Sequence, residues 1–354
     1  MRKLSKGFLS LALSLTLVAA GCSSSNESAT SNNSGAADSS QTQSADKPTE
    51  KYDWKMSVTV GDTSTWFLAA QQFADEVKQK SDGRINVTVY PNEQLSGGDS
   101  GKAIELLIKG STDLTYNSTI IYSIMDERLG VVSAPFMFKD LAEVDQAMAG
   151  KGGEAVKKLL REKGVEPLGF GQNGFRQVTN SVKPIQKPED IQGLKIRIPG
   201  IKMYVDLWKK LGADPTKMTF SEVFTSLQQK TIDGQENPID VIHSAKLNEV
   251  QKYATLWNYS YDPLILGMNK KLFDSLHPED QKIVQEAADN ANAFQIKLAR
   301  EMEAKQIEEL KSKGMEIYEP TAEELAAFKE AVQPIYEQYE SVWTKELLDA
   351  FLTK

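Results

Sequence analysis

Cysteine is almost absent from this 354-residue chain: Cys22 stands alone, so no disulfide can close within it. Histidine is nearly as scarce, with only His243 and His277. Two histidines and one cysteine leave no zinc site of the common kinds, and no metal is expected. A hydrolytic triad also needs a positioned base. His277 lies in "SLHPED", a helix-start turn where histidine is ordinarily solvated, and His243 falls in an amphipathic helix. Catalysis is therefore poorly supported. Basic runs are missing too: Lys and Arg number 41 against 49 Asp and Glu, a net charge of −8. An acidic surface without basic clusters argues against nucleic acid as a partner. Beyond the first 22 residues no apolar stretch approaches the 18 or so that read as a membrane span.

The N-terminus carries the one apolar run. Arg2, Lys3 and Lys6 precede 13 residues from Phe8 to Ala20, closing on "AAGC". A basic head, a short apolar core and small residues at its end make a secretory signal over residues 1–21. Its removal takes three positive charges with it, leaving −11. Cys22, directly after Gly21, resembles the lipobox cysteine of bacterial lipoproteins, although Ala19 stands where leucine is usual. That resemblance implies lipid on Cys22; the alternative is an ordinary signal peptide with an incidental cysteine. Residues 22–51 are Ser-, Asn- and Gln-rich and offer too little apolar area to offset ordering entropy, so they read as a disordered tether. Acyl chains contribute about 0.8 kcal/mol per buried methylene. Together these features would hang a folded body from the outer face of the cell membrane, or place it in the periplasm.

The remaining stretch, roughly 300 residues, exceeds what one core usually accommodates. Two lobes are expected: residues 52–174 with 263–302, and residues 175–262 with 303–354, the boundary near Gly174. Strand and helix patterns alternate from Trp54, which predicts an α/β body with mainly parallel sheets flanked by helices. Glu279 to Lys313 is a long helical pattern that would span both lobes, and Thr321 to Leu352 reads as helical with a break at Pro334. "TFSEVFTSLQQK" opens with a capping-box pattern, Thr219 with Glu222. "DGQENP" reads as an amide-rich turn after a helix.

Three short strings resemble catalytic or cofactor motifs and fail. "GFGQNG" (Gly169 to Gly174) fits the dinucleotide pattern, but strand-like "FRQVTNS" follows where a helix is required. "GGDSGKA" lacks both the first glycine and the Ser/Thr of a phosphate loop. "GDSG" (Gly98 to Gly101) has no base to serve it. No cofactor is expected.

What remains is a set of polar groups at loop and strand ends. In "GLKIRIPG", Ile196 and Ile198 alternate with Lys195 and Arg197, and Pro199 ends the strand. Arg176 sits in "NGFRQVTN", Asn237 in "GQENP", and Trp66 and Asn117 follow the first and third strands. Ligands of parallel sheets gather at the carboxyl ends of strands, which sends several of these residues to one cleft.

"GLKIRIP", "GADPTKMTFSEVFTSLQQKTIDGQENP" and "EVQKY", at these spacings, resemble the solute-binding proteins of TRAP transporters, the dicarboxylate-binding (DctP-like) type. The resemblance runs from residue 53 to about 345. It implies a two-lobed periplasmic-binding-protein-like receptor with a long helix spanning both lobes. It also implies a small organic acid as ligand, a four-carbon dicarboxylate first, with sugar acids and keto acids as alternatives. A sodium-driven membrane permease would be the partner and the receptor would be monomeric. In that resemblance Arg197 corresponds to the carboxylate-binding arginine, Arg176 to an assisting one, Asn237 to an amide reaching the carboxylate and Phe220 to an aromatic beside it. Trp66 and Asn117 would shape the rest of the pocket. "LSGGDSGKAIELL" departs from the charged "GGDRE" form, since Ser100 and Gly101 stand there, so the contacts to the ligand's far end are open. An ABC-type receptor for neutral sugars is the rival class, and aromatic stacking would mark it.

Overall fold

A computed structural model describes residues 47–352; the signal, Cys22 and most of the tether lie outside the described residues. The first part of the body comprises β1 (Tyr52–Val58), α1 (Thr65–Lys80), β2 (Ile85–Tyr90), α2 (Ser100–Lys109), β3 (Leu114–Ser118) and α3 (Thr119–Tyr122). There follow α4 (Leu141–Ala149), α5 (Lys151–Glu162), β4 (Val165–Asn180), β5 (Lys195–Ile198), α6 (Lys202–Lys210), β6 (Asp214–Lys217) and α7 (Val223–Gln228). The rest is β7 (Gly234–Pro238), α8 (Ile239–Ser244), β8 (Tyr253–Thr255), β9 (Tyr261–Asn269), α9 (Lys270–Ser275), α10 (Pro278–Ser312), β10 (Glu316–Tyr318) and α11 (Ala322–Leu352).

The strands run β2-β1-β3-β9-β4-β7-β5-β6, with β8 on β4 and β10 on β8. The sheets are mixed rather than mainly parallel. β1 pairs in parallel with β2 and β3, and β5 with β6 and β7, as alternating strands and helices dictate. The antiparallel pairs all involve β4 or β9, which run in opposite directions through the centre of the molecule. β4 is the crossover: up to Phe175 it pairs with β9, and from Arg176 it pairs with β7 and β8. A register shift between Gln172 and Gly174 lets one 16-residue strand serve two sheets. "GFGQNG" is therefore the middle of a strand.

Two lobes result, each with its own apolar centre. One buries Trp54, Met56, Phe73, Val77 and Leu266 between β1, β9 and α1. The other includes Val223, Ile232, Ile242 and Ala254. The 35-residue α10 enters both, with Val284, Ala287 and Ala291 in the first and Leu310 in the second. α11 crosses the back of the molecule, where Phe328, Ile335 and Trp343 join Trp208, Trp257 and Leu160 in one continuous core. Trp257 and Tyr259 pack with ring centroids 4.6 Å apart, and Phe328 meets Trp257 edge-on at 5.0 Å, geometries that aromatic quadrupoles favour.

Three local expectations differ. Pro334 lies inside α11 without breaking it; the kink comes at Thr344, whose φ is 53°. Thr219 makes no capping box: the Glu222 N–H donates to the Thr219 backbone carbonyl (3.3 Å), while the Thr219 hydroxyl donates to the Gly98 carbonyl (2.8 Å). Residues 234–238 form β7, buried throughout, not a turn. No described helix is long and apolar enough to cross a membrane.

Candidate functional site

β1, β3, β4, β5, β7 and β9 all bring residues to one cleft between the lobes. Trp66, Asn117, Arg176, Arg197, Phe220 and Asn237, the six ligand-binding candidates of the sequence, line it together. Trp66 opens α1 just past β1, and Asn117 stands one residue before β3 ends. On β5, Ile196 and Ile198 are buried on one face, and the strand's alternation turns Arg197 to the other.

Arg197 is only 4% exposed, yet it has no ion-pair partner among the described residues. Its Nε and Nη2 both donate to the Met218 carbonyl, at 3.0 and 2.8 Å, which fixes the plane of the guanidinium. The Phe220 ring lies 5.8 Å from its Cζ. Burial pushes the pKa of Arg197 down to about 10, helped by the nearby Arg176 charge and opposed by Glu236, Glu93 and Glu222. A buried cation held in place without a counter-ion is a site prepared for an anion.

Arg176 is the opposite case. Its Nε donates to Glu236 Oε2, Nη2 to Glu236 Oε1 (3.0 Å), Nη1 to Asp262 Oδ2 (2.8 Å) and Nη2 also to Asn237 Oδ1 (3.0 Å). Burial works against its charge, but the Glu236 carboxylate beside it lifts its pKa well above the usual value. Burial also raises Asp262, against the pull of Arg176 and hydrogen bonds from Ser118 and Asn173. Tyr259 donates to Glu236 Oε2 at 2.6 Å. With all three ionised, this cluster holds two negative charges against one positive. Its Arg176 is neutralised within the protein, whereas Arg197 is not.

Asn237 accepts from Arg176 through Oδ1 while its Nδ2 donates to Gln235 Oε1 (2.5 Å). The Trp66 indole N–H, 2% exposed, has no partner among the described residues, and neither has Asn173 Oδ1. Both residues line the cleft. Sequence reasoning missed Asn173, Thr59, and the site roles of Glu236 and Asp262. Polar "GQENP" gave no sign that Glu236 would be buried, but Asp262 carried a signal, since it stands beside the apolar run "LILGM" of a buried strand. Charge in such a strand is paired or functional.

The sequence profile of DctP, bacterial extracellular solute-binding protein family 7, matches residues 56–342. The chain is 35% identical over 255 residues to the 2,3-diketo-L-gulonate-binding periplasmic protein YiaO of Escherichia coli K12, 72% of this chain and 77% of that protein. It superposes with TM-score 0.82 and 34% identity on a TRAP periplasmic solute-binding protein from Polaromonas sp. JS666 bound to D-erythronate, covering 86% of this chain and 99% of the other. A Sulfurospirillum deleyianum TRAP protein with bound succinate gives TM-score 0.81 at 26% identity, covering 86% and 99%. The chain belongs to the DctP family of TRAP solute-binding proteins. It is a receptor for organic acids, of a family that is extracytoplasmic and binds substrates without transforming them.

Proposed function

We propose that the two lobes close around an organic acid whose carboxylate is clamped by Arg197, and that the loaded receptor delivers it to a sodium-driven TRAP permease. The observation that carries this reading is the buried, held and unpaired guanidinium of Arg197. A planar fork of donors matches a carboxylate bidentately, as lysine cannot. Asn237 and the Trp66 indole N–H stand ready to bind the same end of the ligand, with one Arg176 Nη1 hydrogen left over from Asp262. Phe220 covers the guanidinium face.

Closure follows from the same contacts. A ligand that touches both lobes binds the closed state better, and that difference alone moves the equilibrium. β4 and β9 near Gly174 and Asp262, with α10, are the elements through which the lobes (52–174 with 263–302; 175–262 with 303–354) would hinge. Lipid on Cys22 and a tether to residue 51 would keep a monomeric body beside its permease; a Cys22→Ser chain released into the medium would support this.

The relatives bind a diketo sugar acid, a hydroxy acid and a dicarboxylate, so the four-carbon dicarboxylate suggested by the sequence is one option among these. A thermal-shift screen of residues 52–354, freed of copurified ligand, tests the reading with organic acids, sugar acids and neutral sugars. Ligand at 100 times its Kd adds about 2.7 kcal/mol to stability. Shifts with acids that vanish in Arg197→Ala establish the receptor; shifts with neutral sugars alone overturn it.

A further inference from the structure

Behind two residues that line the cleft, Thr59 and Ser100, lies a buried carboxylate that the binding of an acid does not call for. Glu93 follows β2 and is 1% exposed. Its backbone is held at φ 52°, a left-handed conformation that glutamate seldom adopts. The Glu93 N–H donates to the Val58 carbonyl (2.9 Å), and its own carbonyl accepts from Ser96 and Gly98 (3.0 Å each). The loop thus pins a strained residue so that its side chain lies inward.

There the carboxylate accepts two hydroxyls: Thr59 Oγ1 donates to Oε1 (2.9 Å) and Ser100 Oγ to Oε2 (2.8 Å). Thr59 and Ser100 both line the cleft. A hydroxyl has one hydrogen and two lone pairs. With each hydrogen committed to Glu93, these two side chains have only lone pairs left for a ligand. Asn173 adds a third acceptor: its Nδ2 donates to Asp262 (2.7 Å), and its Oδ1, in a residue 5% exposed, has no partner among the described residues.

We propose that Glu93 is a specificity-determining residue that sets the part of the cleft away from Arg197 as a field of hydrogen-bond acceptors, selecting the hydroxyls of a hydroxylated monocarboxylate over a second carboxylate. This rests on the receptor reading above and narrows its ligand. A second carboxylate has no hydrogen to give these acceptors. It would also be buried near Glu93 and beside the Glu236–Arg176–Asp262 cluster, where one cation already serves two carboxyl groups. Arg197 is the one cleft cation not already paired among the described residues, and the first carboxylate takes it. Burial lifts the pKa of Glu93 to about 7, against hydrogen bonds from Ser100, Thr59 and Asn117 that favour its charged form. The acceptor field is therefore complete above that pH.

The test is calorimetric titration at pH 8 of ligand-free protein with acids matched in chain length: D-erythronate against succinate, and D-gluconate against adipate. Wild type should bind the hydroxy acid of at least one pair ten or more times tighter than its dicarboxylate. In Glu93→Gln the amide donates to one hydroxyl, which must then turn its hydrogen toward the ligand; the preference should fall at least tenfold. Ser100→Ala, which leaves Glu93 in place, should weaken the hydroxy acid and spare the dicarboxylate. A wild type that binds dicarboxylate as tightly or tighter overturns the inference and leaves the receptor reading standing. Unchanged discrimination in both variants removes Glu93 from the role. If no acid of the four binds at millimolar concentration while neutral sugars do, the receptor reading itself fails.

Discussion

The Thr219 hydroxyl donates to the Gly98 carbonyl at 2.8 Å, joining residues 121 positions apart in the chain. Ser221 donates to the same oxygen at 3.1 Å. Both donors follow β6, and the acceptor lies between β2 and α2. In the lobe division proposed above they belong to different lobes, and the bond exists only while the lobes are together.

Removing it should therefore weaken ligand binding without unfolding either lobe. A hydrogen bond contributes about 0.5–1.5 kcal/mol net, so Thr219→Val should raise Kd roughly two- to tenfold. Calorimetry should show that loss while the melting temperature of ligand-free protein stays within about a degree. An equal drop in both would mean that the contact supports the fold instead.

Arg197 and Arg176 share a cleft and should behave oppositely when truncated. Breaking a buried pair costs about 3–5 kcal/mol; on the proposed reading the partner of Arg197 is the ligand carboxylate, so Arg197→Ala should cost a few hundred- to a few thousandfold in affinity. Ligand-free stability should hold or rise, since an unpaired buried cation is removed. Arg197→Lys should recover little, because an ammonium lacks the planar fork. Near-native affinity in the alanine variant would sink the assignment.

Arg176→Ala should instead destabilise the protein whether or not ligand is present, by about the same 3–5 kcal/mol. It leaves Glu236 and Asp262 buried without their shared cation. Urea unfolding of the ligand-free chain is the measurement. A variant as stable as wild type would show that the cluster is not held by Arg176.

Glu93 makes stability depend on pH in a stated direction. Burial raises its pKa in the folded chain from about 4.5 to about 7. Between those values the folded state keeps a proton that the unfolded state has lost. Its contribution is therefore full below pH 4.5 and falls as pH rises toward 7, by a few kcal/mol at about 1.4 kcal/mol per unit. Glu93→Gln cannot titrate there, so its melting temperature relative to wild type should rise from pH 5 to pH 7.5. Parallel profiles for the two proteins would refute the assignment.

Most elements were legible because they are local. The period of α1 and α10, the alternation in "LKIRI" and the apolar run of "LILGMN" follow from which residues can be buried at that spacing. The six cleft residues were legible through the family stretches and through strand ends in an α/β body. What misled were patterns with two physical solutions. Thr219 and Glu222 fit a capping box, but the Glu222 N–H turns to the Thr219 backbone carbonyl, and the Thr219 hydroxyl makes a tertiary bond to Gly98. "DGQENP" looks like a turn because its residues are polar, yet Gln235, Glu236 and Asn237 each find partners inside a buried strand. Pro334 reads as a helix breaker, but α11 runs through it.

The sequence alone determined an α/β body and an arginine placed at a strand end by the alternation of its neighbours. Those properties need only composition and spacing. Which arginine is free was decided by tertiary structure, because neutralisation depends on groups distant in the chain. Glu236 lies 60 residues from Arg176 and Asp262 lies 86. The same holds for Glu93, an unremarked glutamate in a loop until folding puts it behind Thr59 and Ser100 and turns two hydroxyls into acceptors.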